Sequence, residues 1–171
     1  MKNLTRQKIE ESAAVVGAER IQLIDMDLRH LGDMSGIALP GANFNKSKLQ
    51  NLDLSDAQLQ EATFENAQMR NANLENANLE KCRFYRAEMQ NANFEGAQLS
   101  EAYFGSAQLQ AARFIGANLS NANLHFADLR DANFKEATLT GATLSGARYN
   151  DGTQWPDGLV PLLTGAVLDN S

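Results

Sequence analysis

Two histidines, one cysteine and a small group of tyrosine and arginine residues are the side chains of this 171-residue chain whose chemistry could be put to use. His30 and His125 lie far apart, and neither stands in a spacing that gathers carboxylates or thiols around a metal ion. Cys82 has no second cysteine to pair with. Enzyme chemistry, cofactors and metals therefore find no support. What remains is Arg83, Tyr85, Arg86, Tyr103, His125 and Phe126. Tyrosine, phenylalanine and arginine are suited to recognition, because a rigid ring and a guanidinium give contact area and cation–π attraction.

Whether these residues meet depends on what positions them, and that is a repeat of five. From Ile37 to Asp151, 115 residues divide into 23 pentapeptides of the form Ala, polar, Leu/Phe, polar, polar. On an α-helix a step of five rotates the apolar residue by about 140°, so no apolar face forms. In extended chain the first and third residues share a side and the second opposes them. Because five is odd, the chain must bend once per pentapeptide to keep both residues inside. A coiled solenoid of very short strands follows.

The central residues give the number of repeats per coil. Taken every twentieth residue, Leu39, Leu59, Leu79, Leu99, Leu119 and Leu139 form one column, and Phe44, Phe64, Phe84 and Phe104 begin another. A third holds Leu49, Met69, Met89, Leu109, Leu129 and Tyr149, and a fourth Leu54, Leu74, Phe94, Phe114 and Phe134. Four repeats per coil sort the residue types, and the two Phe runs then lie offset on opposite faces of a narrow core. The first position is Ala in 19 of 23 repeats, with Ile37, Ser47, Leu52 and Cys82 the exceptions, so that layer is tight and Cys82 is a packing residue. Glycines fall mainly at corners, where positive φ explains them, and no phosphate loop is read from them. Asn51, Asn71 and Asn91 share a column, as do Asn73 and Asn93, which suits amide ladders between stacked strands.

Runs such as Ala72-Asn73-Leu74-Glu75-Asn76 and Ala117-Asn118-Leu119-Ser120-Asn121 resemble the pentapeptide-repeat proteins. The resemblance implies an all-β solenoid, a right-handed quadrilateral β-helix, and brings no catalytic residues with it. The tail resembles those of cyanobacterial and chloroplast members.

The twenty-residue stacking places Arg83 beside Tyr103, predicting a cation–π pair, Tyr85 two coils from His125, and Arg86 in the column of Phe126. One aromatic and basic patch is expected, offered to another protein. The competing reading is scattered surface residues covering corner backbone. Nucleic acid fits poorly, since Glu65, Glu80 and Glu101 lie nearby.

The ends are read as caps. Residues 1–20 suit a helix using Leu4, Ile9, Ala13 and Val16, capped by Asn3 or Thr5 and stopped at Gly17. Ile21-Gln22-Leu23 and Met26-Asp27-Leu28 repeat the strand pattern, and a one-residue insertion at Leu31, expected as a bulge, brings the β-helix start to about Ile21. Ile21, Ile24, Leu28 and Leu31 also fit a second helix, which leaves both readings of 18–31 open. Residues 152–171 form a C-terminal cap: Trp155 plugs the core, 157–163 forms a short helix whose Leu159, Val160, Leu162 and Leu163 cover the last coil, and 166–168 returns against the body.

A hydrophobic content of 43% supports one domain, and no apolar run approaches a membrane span or a signal-peptide core, so a cytoplasmic protein is expected, as a monomer or an end-to-end dimer. Some members of the resembled family imitate DNA and inhibit type II topoisomerases such as gyrase, which supplies an alternative function. Charge opposes it. Residues 37–151 hold 13 acidic and 10 basic side chains, a net of −3, whereas duplex DNA of the same length, roughly 31 Å, carries about 18 negative charges. The preferred function is a non-enzymatic scaffold or protein-interaction module.

Overall fold

Each outward second residue of a pentapeptide pairs with the residue one coil above it. The computed structural model describes residues 4–171. Parallel bridges join Ala38 to Gln58, Asn43 to Thr63, Lys48 to Gln68 and Asp53 to Asn73, and the step of twenty continues up the four faces until Asn133 pairs with Gln154 at a step of 21. The faces are numbered here by their central columns, beginning with Leu39, Phe44, Leu49 and Leu54. The strands are shorter than the repeat pattern suggests, with one bridged residue on each face. Among the described residues, two-residue strands occur only at β1 (Arg148–Tyr149) and β2 (Val167–Leu168), which pair in parallel at the C-terminal end.

The five-residue unit meets its backbone demands almost completely, as residues 72–76 show. Ala72 N–H donates to Met69 O across the preceding corner, Asn73 N–H to Leu52 O one coil below, and Leu74 and Asn76 N–H to Asn93 O and Glu95 O one coil above. Glu75 N–H donates to the side-chain oxygen of Asn73 at 3.3 Å. All five donors are used, which is what a buried or half-buried backbone requires. Asn or Asp at the second position therefore caps the corner, in the manner of an Asx turn. The corner also needs a left-handed fifth residue, as in a type II turn. Asn76 takes φ 54°, and even Ala111 and Phe126 are held there at 56° and 57°.

Inside, the rings stack along the axis at the coil repeat. Phe44, Phe64, Phe84 and Phe104 are 4.8, 5.1 and 4.9 Å apart, and Phe94, Phe114 and Phe134 are 4.8 Å apart. The two columns meet edge to face, Phe94 lying 6.2 Å from Phe84 and 6.0 Å from Phe104. Pairs of this kind contribute about 0.5–1.5 kcal/mol each beyond area burial. Leu59, Phe64, Leu79, Phe84, Phe94, Leu99, Phe104, Phe114, Leu119 and Phe134 are fully buried. So is Cys82, whose thiol donates to Leu59 O at 2.9 Å and is pushed well above the usual thiol range by burial.

At the N-terminus, α1 (Arg6–Val16) is capped by Thr5, whose hydroxyl accepts from Lys8 N–H, while Asn3 lies outside the described residues. Ile9 is its buried residue. The first coil pairs Gln22 with Asn43 and Asp27 with Lys48, a step of 21, before Asp33 and Asp53 resume the step of 20. The extra residue is taken up by a 3-10 turn at Arg29–Leu31 in place of the expected bulge, and no α-helix forms over 18–31.

The C-terminal end departs further from expectation. Trp155 stacks on Phe134 at 5.1 Å with rings 5° from parallel, extending the phenylalanine column. The segment after it forms only a 3-10 turn, Pro161–Thr164. Val160, Leu162 and Leu163 are 52%, 66% and 85% exposed, so they do not cover the last coil. Pro161 and the positive-φ residues Gly158 and Gly165 leave too short a stretch for a helix to nucleate. The chain returns through β2, secured where Arg148 Nε donates to Asp169 Oδ2 at 2.6 Å. Asp128, buried beneath, receives a two-point contact from Arg130 at 2.9 and 2.7 Å.

Candidate partner-binding face

On the second face the outward column runs Asn43, Thr63, Arg83, Tyr103, Asn123, Thr143, and the corner column beside it runs Asn45, Glu65, Tyr85, Gly105, His125, Ser145. The corner cap is made at two levels of this stretch: Asn43 accepts from Asn45 N–H at 3.0 Å and Asn123 from His125 N–H at 2.9 Å, while Glu65 N–H donates to Asn45 Oδ1 at 2.8 Å one coil below. Between them Arg83 and Tyr103 cannot accept in this way, and among the described residues the amides of Tyr85 and Gly105 gain no such cap.

Arg83 and Tyr103 are bridge partners, yet their side chains diverge. Arg83 Nε donates to Glu65 Oε1 at 2.8 Å, one coil below, so the expected Arg83–Tyr103 cation–π pair does not form. An accessible carboxylate outcompetes a ring face for a guanidinium. The cation–π contact is made instead by Arg86, whose Cζ lies 5.0 Å from the centre of the Tyr85 ring. Tyr85 and Tyr103 approach to 6.0 Å with rings tilted by 35°.

Gly105 explains how Tyr103 reaches Tyr85. A Cβ at Gly105 would lie 2.6 Å from Tyr103 Cζ and Oη, so the ring occupies the space that any other residue there would fill. The sequence does carry this signal. Gly41, Gly96, Gly116, Gly141 and Gly146 occupy fifth positions with positive φ, whereas Gly105 sits at a fourth position without it. Among so many corner glycines its fourth-position placement is the distinguishing mark.

The six expected residues divide into two groups. Arg83, Tyr85, Arg86 and Tyr103 form one, joined by Glu65, Lys81 and Glu101; a shallow open groove of about 590 Å³ is lined by all of these except Arg86. His125 and Phe126 form the other, with ring centres 4.0 Å apart. Phe126 belongs to its own end of the face, since its ring lies where a Cβ on Gly146 would be, at 2.4 Å. Ser106 stands between Arg86 and Phe126 in their column, so the two do not meet.

Among the described residues no group of three or more His, Cys, Asp or Glu side chains could hold a metal ion, and no helix is long and apolar enough to cross a membrane. The groove has charged and aromatic walls.

Comparison with known families decides what kind of scaffold carries this face. The description "Pentapeptide repeat region" matches residues 19–94 and 39–114, and "Pentapeptide repeats (8 copies)" matches residues 107–146. The chain belongs to the pentapeptide repeat family. No curated protein matches it. Among solved members of the family, it is similar to HetL, a protein involved in heterocyst differentiation regulation from the cyanobacterium Nostoc sp. strain PCC 7120. The identity is 19%, 92% of this chain and 90% of that chain are covered, and the TM-score is 0.53. It is also similar to Rfr23 from the cyanobacterium Cyanothece 51142, at 25% identity over 75% of this chain and 94% of that one, with a TM-score of 0.37. Full-length QnrB1, a plasmid-mediated fluoroquinolone resistance protein, is 18% identical over 88% and 92% of the two chains, with a TM-score of 0.43. The likeness to HetL carries the fold of the family, a right-handed β-helix.

Proposed function

We propose that this pentapeptide repeat protein is a non-enzymatic interaction module that binds another protein through its second face, with Tyr85 and Tyr103 at the centre of the contact. The observation that carries the reading is the Tyr103–Gly105 arrangement: a glycine at a non-glycine position lets a tyrosine lie across the corner and meet a second tyrosine at 6.0 Å. Two rings side by side on a rigid β-helix give contact area at low entropic cost, because the scaffold is already ordered before a partner arrives. The four-sided frame holds them without any loop that must close.

The test is affinity capture from the native organism with the wild-type chain and with a Tyr85→Ala, Arg86→Ala double variant. The variant is expected to lose a partner that the wild type retains. If both chains capture the same set of proteins in the same amounts, the second face is not the interaction surface.

A further inference from the structure

The groove on the second face has an unmet electrostatic demand, and that demand names the chemistry of its occupant. This inference rests on the proposed partner-binding role of the same face. Each cation around the groove is already engaged. Arg83 is held by Glu65 at 2.8 Å, Lys81 Nζ lies 3.5 Å from Glu80 Oε1, and Arg86 covers the Tyr85 ring at 5.0 Å. Among the described residues the Glu101 side chain forms no ion pair or hydrogen bond, and neither tyrosine hydroxyl has a partner. Glu101 and Tyr103 line the groove together, two residues apart.

We infer that this groove receives an arginine side chain of the partner protein, stacked on the Tyr103 ring and paired with the Glu101 carboxylate. A ring face and a carboxylate both attract positive charge, and among the described residues each cation around the groove lies against another partner. Arginine suits the pair better than lysine, because its planar guanidinium lies flat on a ring while its edge presents paired N–H donors to a carboxylate. The Tyr103 ring lies over Gly105, where no Cβ stands in its way, and so presents a stacking surface beside Glu101.

The test uses the full chain, isotopically labelled, titrated with N-acetyl-arginine amide and, separately, with the uncharged isostere N-acetyl-citrulline amide. Backbone resonances of Glu101, Tyr103 and Gly105 are expected to shift with the arginine compound at millimolar concentration and to stay unchanged with citrulline. Glu101→Gln should weaken arginine binding about tenfold, which corresponds to about 1.4 kcal/mol. Equal response to both compounds, or shifts confined to other faces, overturns the assignment. Glu101→Gln in the capture experiment separates the two ideas: if it keeps a partner that the Tyr85→Ala, Arg86→Ala chain loses, the face binds but arginine is not its ligand.

Discussion

Arg83 reaches back eighteen residues to Glu65, from the second position of one coil to the fourth position of the coil below, with Nε 2.8 Å from Oε1. The same diagonal joins Arg113 to Glu95 at 2.6 Å and Glu88 to Arg70 at 3.1 Å. A separation of eighteen thus brings the second and fourth positions of neighbouring coils into ion-pair contact at three places. Because Arg83 is 59% and Glu65 26% exposed, the pair contributes little to stability, at most about 1 kcal/mol. The pair draws the Arg83 guanidinium toward Glu65 and away from the Tyr103 ring. Glu65→Gln is therefore expected to leave the melting temperature within a few degrees of wild type while releasing Arg83 toward Tyr103, seen as a shift of the Tyr103 ring resonances. An unaltered Tyr103 environment would show that Glu65 does not direct Arg83.

Ala111 holds φ 56° in the column that Asn51, Asn71 and Asn91 occupy below it. Asparagine tolerates this left-handed region better than alanine, and Asn71 already donates to Asn51 Oδ1 at 3.0 Å. Ala111→Asn should stabilise the fold by about 0.5–1 kcal/mol through relief of backbone strain and one more rung of the ladder. Thermal unfolding with and without the substitution measures it; a lower melting temperature would contradict the account of the corner.

Gly105→Ala places a methyl group where Tyr103 Cζ and Oη now lie. The ring is the far end of a mobile side chain on an exposed face, so it swings aside at a cost of about 1 kcal/mol or less. Stability should barely change, while the Tyr85–Tyr103 contact and partner binding are lost together. Loss of ring-to-ring nuclear Overhauser effects checks the geometry, and retained partner binding would separate function from the tyrosine pair.

Asp169 holds the returning chain. Hydrogen bonds from the Ser171 hydroxyl and amide, followed by Arg148, keep its carboxyl well below the usual carboxylate range. A depressed folded value stabilises the closed segment above the unfolded carboxylate pKa, about 3.9, and that contribution fades as pH falls below it. The Asp169 amide, which donates to Tyr149 O at 2.7 Å, is the reporter. Its hydrogen-exchange protection, corrected for intrinsic rate, should drop on acidification below about pH 4, and Asp169→Asn should show reduced protection already at neutral pH.

A gyrase supercoiling assay should show no inhibition at micromolar protein. The net of −3 between residues 37 and 151 is far from the field of a duplex of that length. Inhibition would require charge placement on one face to substitute for total charge.

The four columns could be read from the sequence because the core is narrow enough to discriminate between Leu and Phe at every level; each inward position answers to one neighbour above and one below. The surface answers to more. Arg83 had Tyr103 and Glu65 within reach, and residue types alone do not rank a ring against a carboxylate without the diagonal geometry that brings Glu65 close. Gly105 was hidden by its company, since other glycines of the run serve φ and this one serves a neighbour's ring. At the C-terminal end, Val160, Leu162 and Leu163 looked like core residues by composition, but a segment interrupted by Gly158, Pro161 and Gly165 has no periodic structure to turn them inward.

The 3-10 turn at Arg29–Leu31 changes a coil of twenty residues into one of twenty-one, and the next bridge resumes as though nothing had been added. Each coil touches only its neighbours, so an extra residue at a corner is settled within one level and does not propagate along the axis. Corners are the places where this molecule can gain or lose length, and faces are not. A loop grafted at a corner near Tyr85 would extend the surface of that face while the columns beneath it stay in register.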